Sequence, residues 1–345
     1  MFKLSYSPYT LQNKYVFRIA GNARSSTPLM LVRISFDNIC GYGEASMPPR
    51  YGESHQTAAE FLSKVDLSRF KDPFDLESIL GYVDSISPGN PAVKAAIDIA
   101  LHDLIGKMTG LPVRSYFGLS AVPMKTCKTI GIDTPDMIAK KVQEAAEFPF
   151  LKIKLGDDND EEIIRVVREN SDQPLYIDAN QGWKTGEIAL EKIEWLKEEN
   201  VEFIEQPLPA EQLDDLSWLV ARSPLPIVGD EGIQRFSDVR TASEFYHGIN
   251  IKLMKSTGLR EAYKMAQTAK MMGLKVMFGC MAETSCAIGA LAQLGQLADW
   301  LDLDGNLGVT NDPFSAHTVK NGTVYLNELP GIGLKEPDWD QITKI

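Results

Sequence analysis

Residues 150–253 decide the fold. They contain Phe-Leu-Lys-Ile-Lys-Leu-Gly (150–156), Tyr-Ile-Asp-Ala-Asn (176–180), Phe-Ile-Glu-Gln-Pro (203–207), Val-Gly-Asp-Glu-Gly (228–232) and Ile-Asn-Ile-Lys-Leu (249–253). Each is a short apolar run that ends near an ionisable group. From Lys154 through Asp178, Glu205 and Asp230 to Lys252 the steps are 24, 27, 25 and 22 residues, the length of one strand-plus-helix unit. Helical patterns at 160–170 and 185–200, with a shorter one at 213–222, fill the gaps. Further strands are expected at 125–130, 275–279 and 300–302, with helices at 135–147, 237–246, 259–272 and 285–298. Eight strands, each followed by a crossover, predict a parallel barrel rather than an open sheet. Ionisable groups at the carboxyl ends of five successive strands lie on the face where such barrels build their sites.

The N-terminal third has a different texture and predicts an α+β domain. Strand formers at 15–19 and 30–36 flank a polar loop at 21–28 that carries Arg24. Gly41-Tyr42-Gly43 reads as a turn, and 47–52, with Arg50 and Tyr51, as a second loop. Helices are expected at 54–64 and 90–109, the latter capped by Asn90 with Pro91 at its first position. The chain divides into a capping domain at 1–120, a barrel at 121–320 and a C-terminal segment at 321–345 that returns to the cap.

Composition narrows the function. The 345 residues carry a net charge of −12, which disfavours contact with a phosphate backbone, so no nucleic-acid partner is expected. No apolar run is long enough to span a bilayer, and the first ten residues lack a signal core, which predicts a soluble, cytoplasmic protein with no membrane partner. Four irregularly spaced cysteines and four scattered histidines argue against a zinc ribbon or a disulfide framework. The oligomeric state stays open, a homo-oligomer included.

Asp178, Glu205 and Asp230 follow three consecutive strands and are therefore neighbours on the rim. Clustered carboxylates repel unless a cation neutralises them, and an all-oxygen set selects Mg²⁺ or Mn²⁺ over zinc. Taken singly, each acid could instead cap the following helix. Lys152 and Lys154, two residues apart on one strand, share its inner face. Lys252 ends the sixth strand, across the axis from the second. A substrate between them meets an amine on each side, as removal and return of a proton beside a carboxylate requires; the enediolate so formed needs strong electrostatic stabilisation. A lysine could instead serve only to neutralise the nearby acids, a reading that suits Lys152 better than Lys154 or Lys252.

The Lys-x-Lys strand, the Asp/Glu/Asp series and the later lysine resemble the muconate lactonizing subgroup of the enolase superfamily. The likeness spans nearly the whole chain. It implies an α/β fold, a (β/α)7β TIM-like barrel with an N-terminal α+β capping domain. It further implies Lys154 and Lys252 as the acid/base pair, Lys152 assisting at the substrate carboxylate, and one Mg²⁺ per subunit on Asp178, Glu205 and Asp230.

Within that subgroup, Asp302-Leu303-Asp304-Gly305 resembles the Asp-x-Asp motif with which dipeptide epimerases hold the substrate's α-ammonium. The carboxylate and ammonium of an extended dipeptide lie roughly 6–7 Å apart, which suits a motif facing the metal across the mouth. An Asp-Gly turn is the plainer alternative. The resemblance implies isomerisation of a small dipeptide such as L-Ala-D/L-Glu, a step in the use of murein peptides. Arg24 would meet a glutamate side chain, and Met281, in the segment after strand seven, would line the pocket. Tyr51, Asn180, Glu231 and Glu283 are weaker candidates, and Gly156 and Gly182 read as turn glycines. The same family also holds epimerases for hydrophobic second residues, o-succinylbenzoate synthases and N-acylamino acid racemases. A Schiff-base aldolase on one lysine and a non-catalytic binding protein are the rivals from other classes.

Overall fold

The computed structural model describes residues 1–343; Lys344 and Ile345, the end of the expected C-terminal segment, lie outside the described residues. The chain opens with three antiparallel strands, β1 (Phe2–Ile19), β2 (Asn22–Phe36) and β3 (Ile39–Ser46), in the order β1-β2-β3. The first pair is a long hairpin whose register runs from Phe2↔Phe36 to Ile19↔Asn22, with an irregularity between Gln12 and Phe17. Residues 22–28 are therefore strand, not the loop expected from their polarity. They form the end of the hairpin, where Arg24 and Ser26 are half-buried and Ser25 exposed, a two-faced strand that hydropathy does not mark because residues 22–27 are all polar or small.

Gly41 and Gly43 likewise lie inside β3, not in a turn. Helix α1 (His55–Leu62), helix α2 (Leu76–Ser85) and the long helix α3 (Pro91–Thr109) complete the cap. A Cβ on Gly43 would collide with the Ala96 carbonyl, and one on Gly41 with that of Ala100. The two glycines, opposite the small residues of α3, let backbone approach backbone. Asn90 stands at the start of α3 with φ +52° and makes no side-chain cap. Instead Glu53 accepts from the Ala92 and Val93 N–H groups (3.0 and 3.3 Å), supplying the anion that the helix start favours.

The expected strand at 125–130 divides in two. β4 (Met124–Lys125) joins a C-terminal hairpin, while β5 (Cys127–Ile130) opens the barrel. The barrel continues through β6 (Phe150–Lys154), β7 (Leu175–Asp178), β8 (Val201–Glu205), β9 (Ile227–Gly229), β10 (Gly248–Ile251), β11 (Lys275–Phe278) and β12 (Trp300–Leu301). All neighbours pair in parallel and in sequence. Side chains bring β12 back to β5: the Leu303 N–H donates to the Thr126 hydroxyl (2.8 Å) and the Thr129 N–H to Asp304 (2.9 Å). The fifth helical region is shorter than expected, an α segment at Phe236–Val239 followed by a 3-10 turn. β13 (His317–Lys320) and β14 (Thr323–Leu326) form the C-terminal hairpin that pairs with β4. The chain then returns to the cap, where Ile332 N–H donates to Asp103 (3.0 Å) and Tyr42 Oη to Glu336 (2.6 Å).

Buried acids of the cap fasten it to the barrel. Asp98 of α3 accepts from Leu259 N–H (2.5 Å) and Glu44 of β3 from Thr284 N–H (2.9 Å), each at the start of a barrel helix. The contact places the hairpin tip and the 47–52 loop over the carboxyl ends of the strands. Among the described residues no helix is long and apolar enough to cross a membrane.

Candidate active site

Alternation along the barrel strands sends one set of side chains into the ring. Its lower layer is apolar: Cys127, Tyr176, Phe203, Val228 and Met277, with Phe150 and Trp300. The rings of Phe150, Tyr176, Phe203 and Trp300 follow one another at 5.0, 4.5 and 4.6 Å, a floor that keeps water from entering below. Above it stand Lys152, Lys154, Asp178, Glu205, Asp230, Lys252 and Asp302, all buried.

The three acids at the ends of β7, β8 and β9 converge, with one oxygen from each of Asp178, Glu205 and Asp230 lying within 4.8 Å of the others. Lys152 Nζ sits among them, 2.7 Å from Glu205 Oε2, 2.8 Å from Asp302 Oδ2 and 3.2 Å from Asp178 Oδ2. Lys154 Nζ lies 2.5 Å from Asp178 Oδ2, and Lys252 Nζ 2.7 Å from Asp230 Oδ2. The two amines thus reach the triad from β6 and from the end of β10, four strands apart in a ring of eight.

Burial favours the neutral form of every acid here. At Asp178 the adjacent Lys154 and Lys152 outweigh it and hold the carboxyl well below the usual range; at Asp230 Lys252 and Lys255 do the same. Glu205 is pushed up to about 7 by burial and by the Asp178 charge. Its Oε2 touches Lys152 but is out of line for a hydrogen bond. Three buried, convergent hard oxygen donors, one incompletely satisfied, fit a small divalent cation such as Mg²⁺.

Two further residues support the triad. Asn250 donates to Glu205 Oε1 (2.8 Å); it stands two residues before Lys252, so strand periodicity could have found it. A Cβ on Gly279 would strike the Asn250 amide, so that glycine makes room for the contact. Lys255 donates to Asp230 Oδ1 (2.5 Å), the Ile233 carbonyl (2.9 Å) and the Asn250 carbonyl (3.1 Å). It lies in a turn, where no period marks it in the sequence.

A cavity of about 360 Å³ opens above the triad, lined by Lys152, Lys154, Asp230, Lys252, Met281, Asp302 and Asp304 from the barrel and by Arg24, Arg50 and Tyr51 from the cap. None of the four histidines lines it. Arg24, on the hairpin tip, stacks on Phe17 (5.4 Å), and its buried Nε has no partner among the described residues. Arg50 is engaged, 2.6 Å from Glu231 Oε1, to which Asn180 also donates (3.3 Å). Burial pushes the Tyr51 hydroxyl well above its ordinary range, with the Asp230 charge adding to it. Glu283 accepts from the Met281 N–H (2.9 Å) and is pushed up to about 8 by burial and the Glu44 charge. Gly156 and Gly182 pack against each other, so a Cβ on either would meet the other's backbone.

Asp302 and Asp304 stand together after β12. Asp302 accepts from Lys152, while Asp304 takes Lys128 Nζ (2.9 Å) and the Thr129 hydroxyl (3.1 Å). Such an arrangement can orient a small zwitterion between a cation site and an acidic pair, with an amine on each side of its middle.

Two family models match: "Mandelate racemase / muconate lactonizing enzyme, N-terminal domain" over residues 8–118 and "Enolase C-terminal domain-like" over residues 137–340. The L-Ala-D/L-Glu epimerase of Bacteroides thetaiotaomicron is 51% identical over 334 residues, which cover 96% of this chain and 87% of that protein. The substrate-liganded L-Ala-D/L-Glu epimerase of Bacillus subtilis superposes with a TM-score of 0.91 at 26% identity, over 97% of this chain and 98% of that one. The dipeptide epimerase of Enterococcus faecalis, complexed with Mg and L-Leu-L-Tyr, gives 0.89 at 31% identity, over 97% and 99%.

Proposed function

The chain belongs to the mandelate racemase / muconate lactonizing enzyme family, and we propose that it inverts the α-carbon of the second residue in L-Ala-D/L-Glu and related dipeptides, using Mg²⁺. The reading is carried by one observation: two buried lysines from opposite strands flank one triad of carboxylates. Asp178, Glu205 and Asp230 would hold the ion. When bound, it supplies the positive charge that stabilises the carboxylate as the neighbouring carbon loses its proton.

Lys154 and Lys252 take the two faces of that carbon. One accepts the proton while the other, protonated, delivers one to the opposite face, and the stereocentre inverts. Lys152, among Asp178, Glu205 and Asp302, stays charged and faces the substrate carboxylate. Burial alone would lower it, but Asp302, Glu205 and Asp178 together hold it well above the ordinary lysine range. Asp302 and Asp304 take the α-ammonium, and Met281 lines the wall. Arg24, whose guanidinium makes no ion pair among the described residues, meets the glutamate side chain, whereas Arg50 is already held by Glu231. Four free thiols are consistent with work in the cytoplasm on peptides derived from murein.

Solvent-deuterium incorporation at the α-carbon across a dipeptide panel tests this. Exchange with L-Ala-L-Glu and L-Ala-D-Glu, lost in EDTA and restored by Mg²⁺, is the expected result. No exchange with any dipeptide, alongside elimination from a cyclohexadiene carboxylate or racemisation of an N-acylamino acid, would move the chain to another activity of the family.

A further inference from the structure

The acidic pair after β12 already holds two lysines, and they are not equivalent. Lys152, on Asp302, is 1% exposed and is shared among three carboxylates inside the barrel. Lys128, on Asp304, pairs in register with Leu151 while Thr129 pairs with Lys152. It therefore springs from the outer face of β5, beside inward-facing Thr129. Its side chain is 23% exposed, lines the cavity and has, among the described residues, a single carboxylate partner at 2.9 Å. Asp304 does not depend on it for orientation, since Oδ2 also accepts from the Thr129 N–H (2.9 Å) and Oδ1 from the Thr129 hydroxyl (3.1 Å).

We infer that Lys128 is the exchangeable counter-ion of this subsite: it sits on Asp304 until a substrate's α-ammonium arrives, and so sets how strongly the enzyme prefers a free N-terminus. The inference rests on the dipeptide reading above. Its physical basis is charge balance. Oxygens of Asp302 and Asp304 lie with Cys280 Sγ inside a 4.8 Å cluster, and two carboxylates that close need a cation whether or not a ligand is present. Burial presses the Lys128 ammonium toward neutrality, but Asp304 more than compensates and keeps it charged. An incoming α-ammonium thus meets a carboxylate already neutralised and must displace Lys128 or share with it. A substrate with an acylated nitrogen loses less, because the resting subsite carries no uncompensated charge.

Lys128→Met and Lys128→Arg test the idea with L-Ala-L-Glu and its N-acetyl derivative as paired substrates. Removing the competitor is expected to lower KM for the free dipeptide by about three- to tenfold, the scale of a partly exposed ion pair, and to raise the kcat/KM preference for free over acetylated amine by a similar factor. Arginine, which grips a carboxylate with two donors, is expected to raise KM. A purely structural lysine predicts that the methionine variant binds worse and the arginine variant recovers. That pattern, or an unchanged KM and preference in Lys128→Met, would overturn the inference while wild-type epimerisation still supported the dipeptide reading. A wild type that exchanges no dipeptide would remove both.

Discussion

Lys154 and Lys252 reach one triad from opposite strands, so each is expected to be indispensable for inversion. Lys154→Ala and Lys252→Ala should each lower epimerisation by about a hundred- to ten-thousandfold, the range for a positioned acid or base. NMR of the α-proton in D₂O checks this, and far-UV circular dichroism confirms that the barrel persists. Equal rates in wild type and variants would leave the amines without a role. Arg24 carries a narrower prediction. Replacing it with Met should reduce kcat/KM for L-Ala-D-Glu by about ten- to a hundredfold, as loss of a charge-assisted contact does. A dipeptide with a neutral second residue should lose far less. The positions of Lys154 and Lys252 beside the triad were legible because charges at the ends of apolar runs stand out against a buried background. Lys128 and Lys255 were not, since one springs from the outer face of its strand and the other from a turn. Their work depends on what folds beside them.

Barrel strands and helices were legible because the βα rhythm repeats in the chain itself, and the starts and ends of β6 to β12 depart from it little. The cap was read less well. Asn22 to Thr27 are all polar or small, so hydropathy shows no alternation and polarity alone suggested a loop, although the hairpin end packs on the barrel, where the Arg18 carbonyl accepts from the Ile132 N–H (3.0 Å). Gly41 and Gly43 read as a turn because only the distant α3 reveals why no side chain fits there. Gly43→Ala is therefore expected to destabilise the fold by about 1–3 kcal/mol through enforced separation of β3 and α3, measured by urea unfolding; a neutral result would mean that the two elements can part freely. Glu44, also on β3, makes the cap–barrel contact sensitive to pH. Burial raises its carboxyl from 4.5 to about 7, against the hydrogen bonds from Thr284. Below 4.5 both folded and unfolded chains keep the proton. Between 4.5 and about 7 the unfolded chain gives it up first, so this group's contribution to stability falls as pH rises. Glu44→Gln should flatten that part of the profile, and identical slopes for both proteins between pH 4.5 and 7.5 would exclude Glu44 as its source.

At the scale of the molecule, the cap and barrel line one cavity together. The cap presents Arg24, Arg50 and Tyr51 to a cavity whose chemistry stands on the barrel, and buried acids of the cap clasp barrel helices at their starts. Charge is concentrated at the centre of this assembly: Asp178, Glu205, Asp230 and Asp302 are counterbalanced by Lys152, Lys154, Lys252 and Lys255. A divalent cation that binds only the folded chain must therefore couple ligand binding to global stability. At a free concentration of 100 times its Kd the gain is about 2.7 kcal/mol, which for a protein of this size amounts to a few degrees in Tm. Thermal scans in Mg²⁺ against EDTA should show that rise in the wild type. Asp178→Asn, Glu205→Gln and Asp230→Asn should each shrink it, while their EDTA baselines part: Glu205→Gln relieves repulsion and holds or raises the baseline, whereas Asp178→Asn and Asp230→Asn leave buried lysines without their partners and lower it. The size of the Mg²⁺ increment, not the absolute Tm, is thus the diagnostic quantity. An increment that survives intact in all three variants would place the ion elsewhere and leave the converging carboxylates as structural partners of the lysines alone.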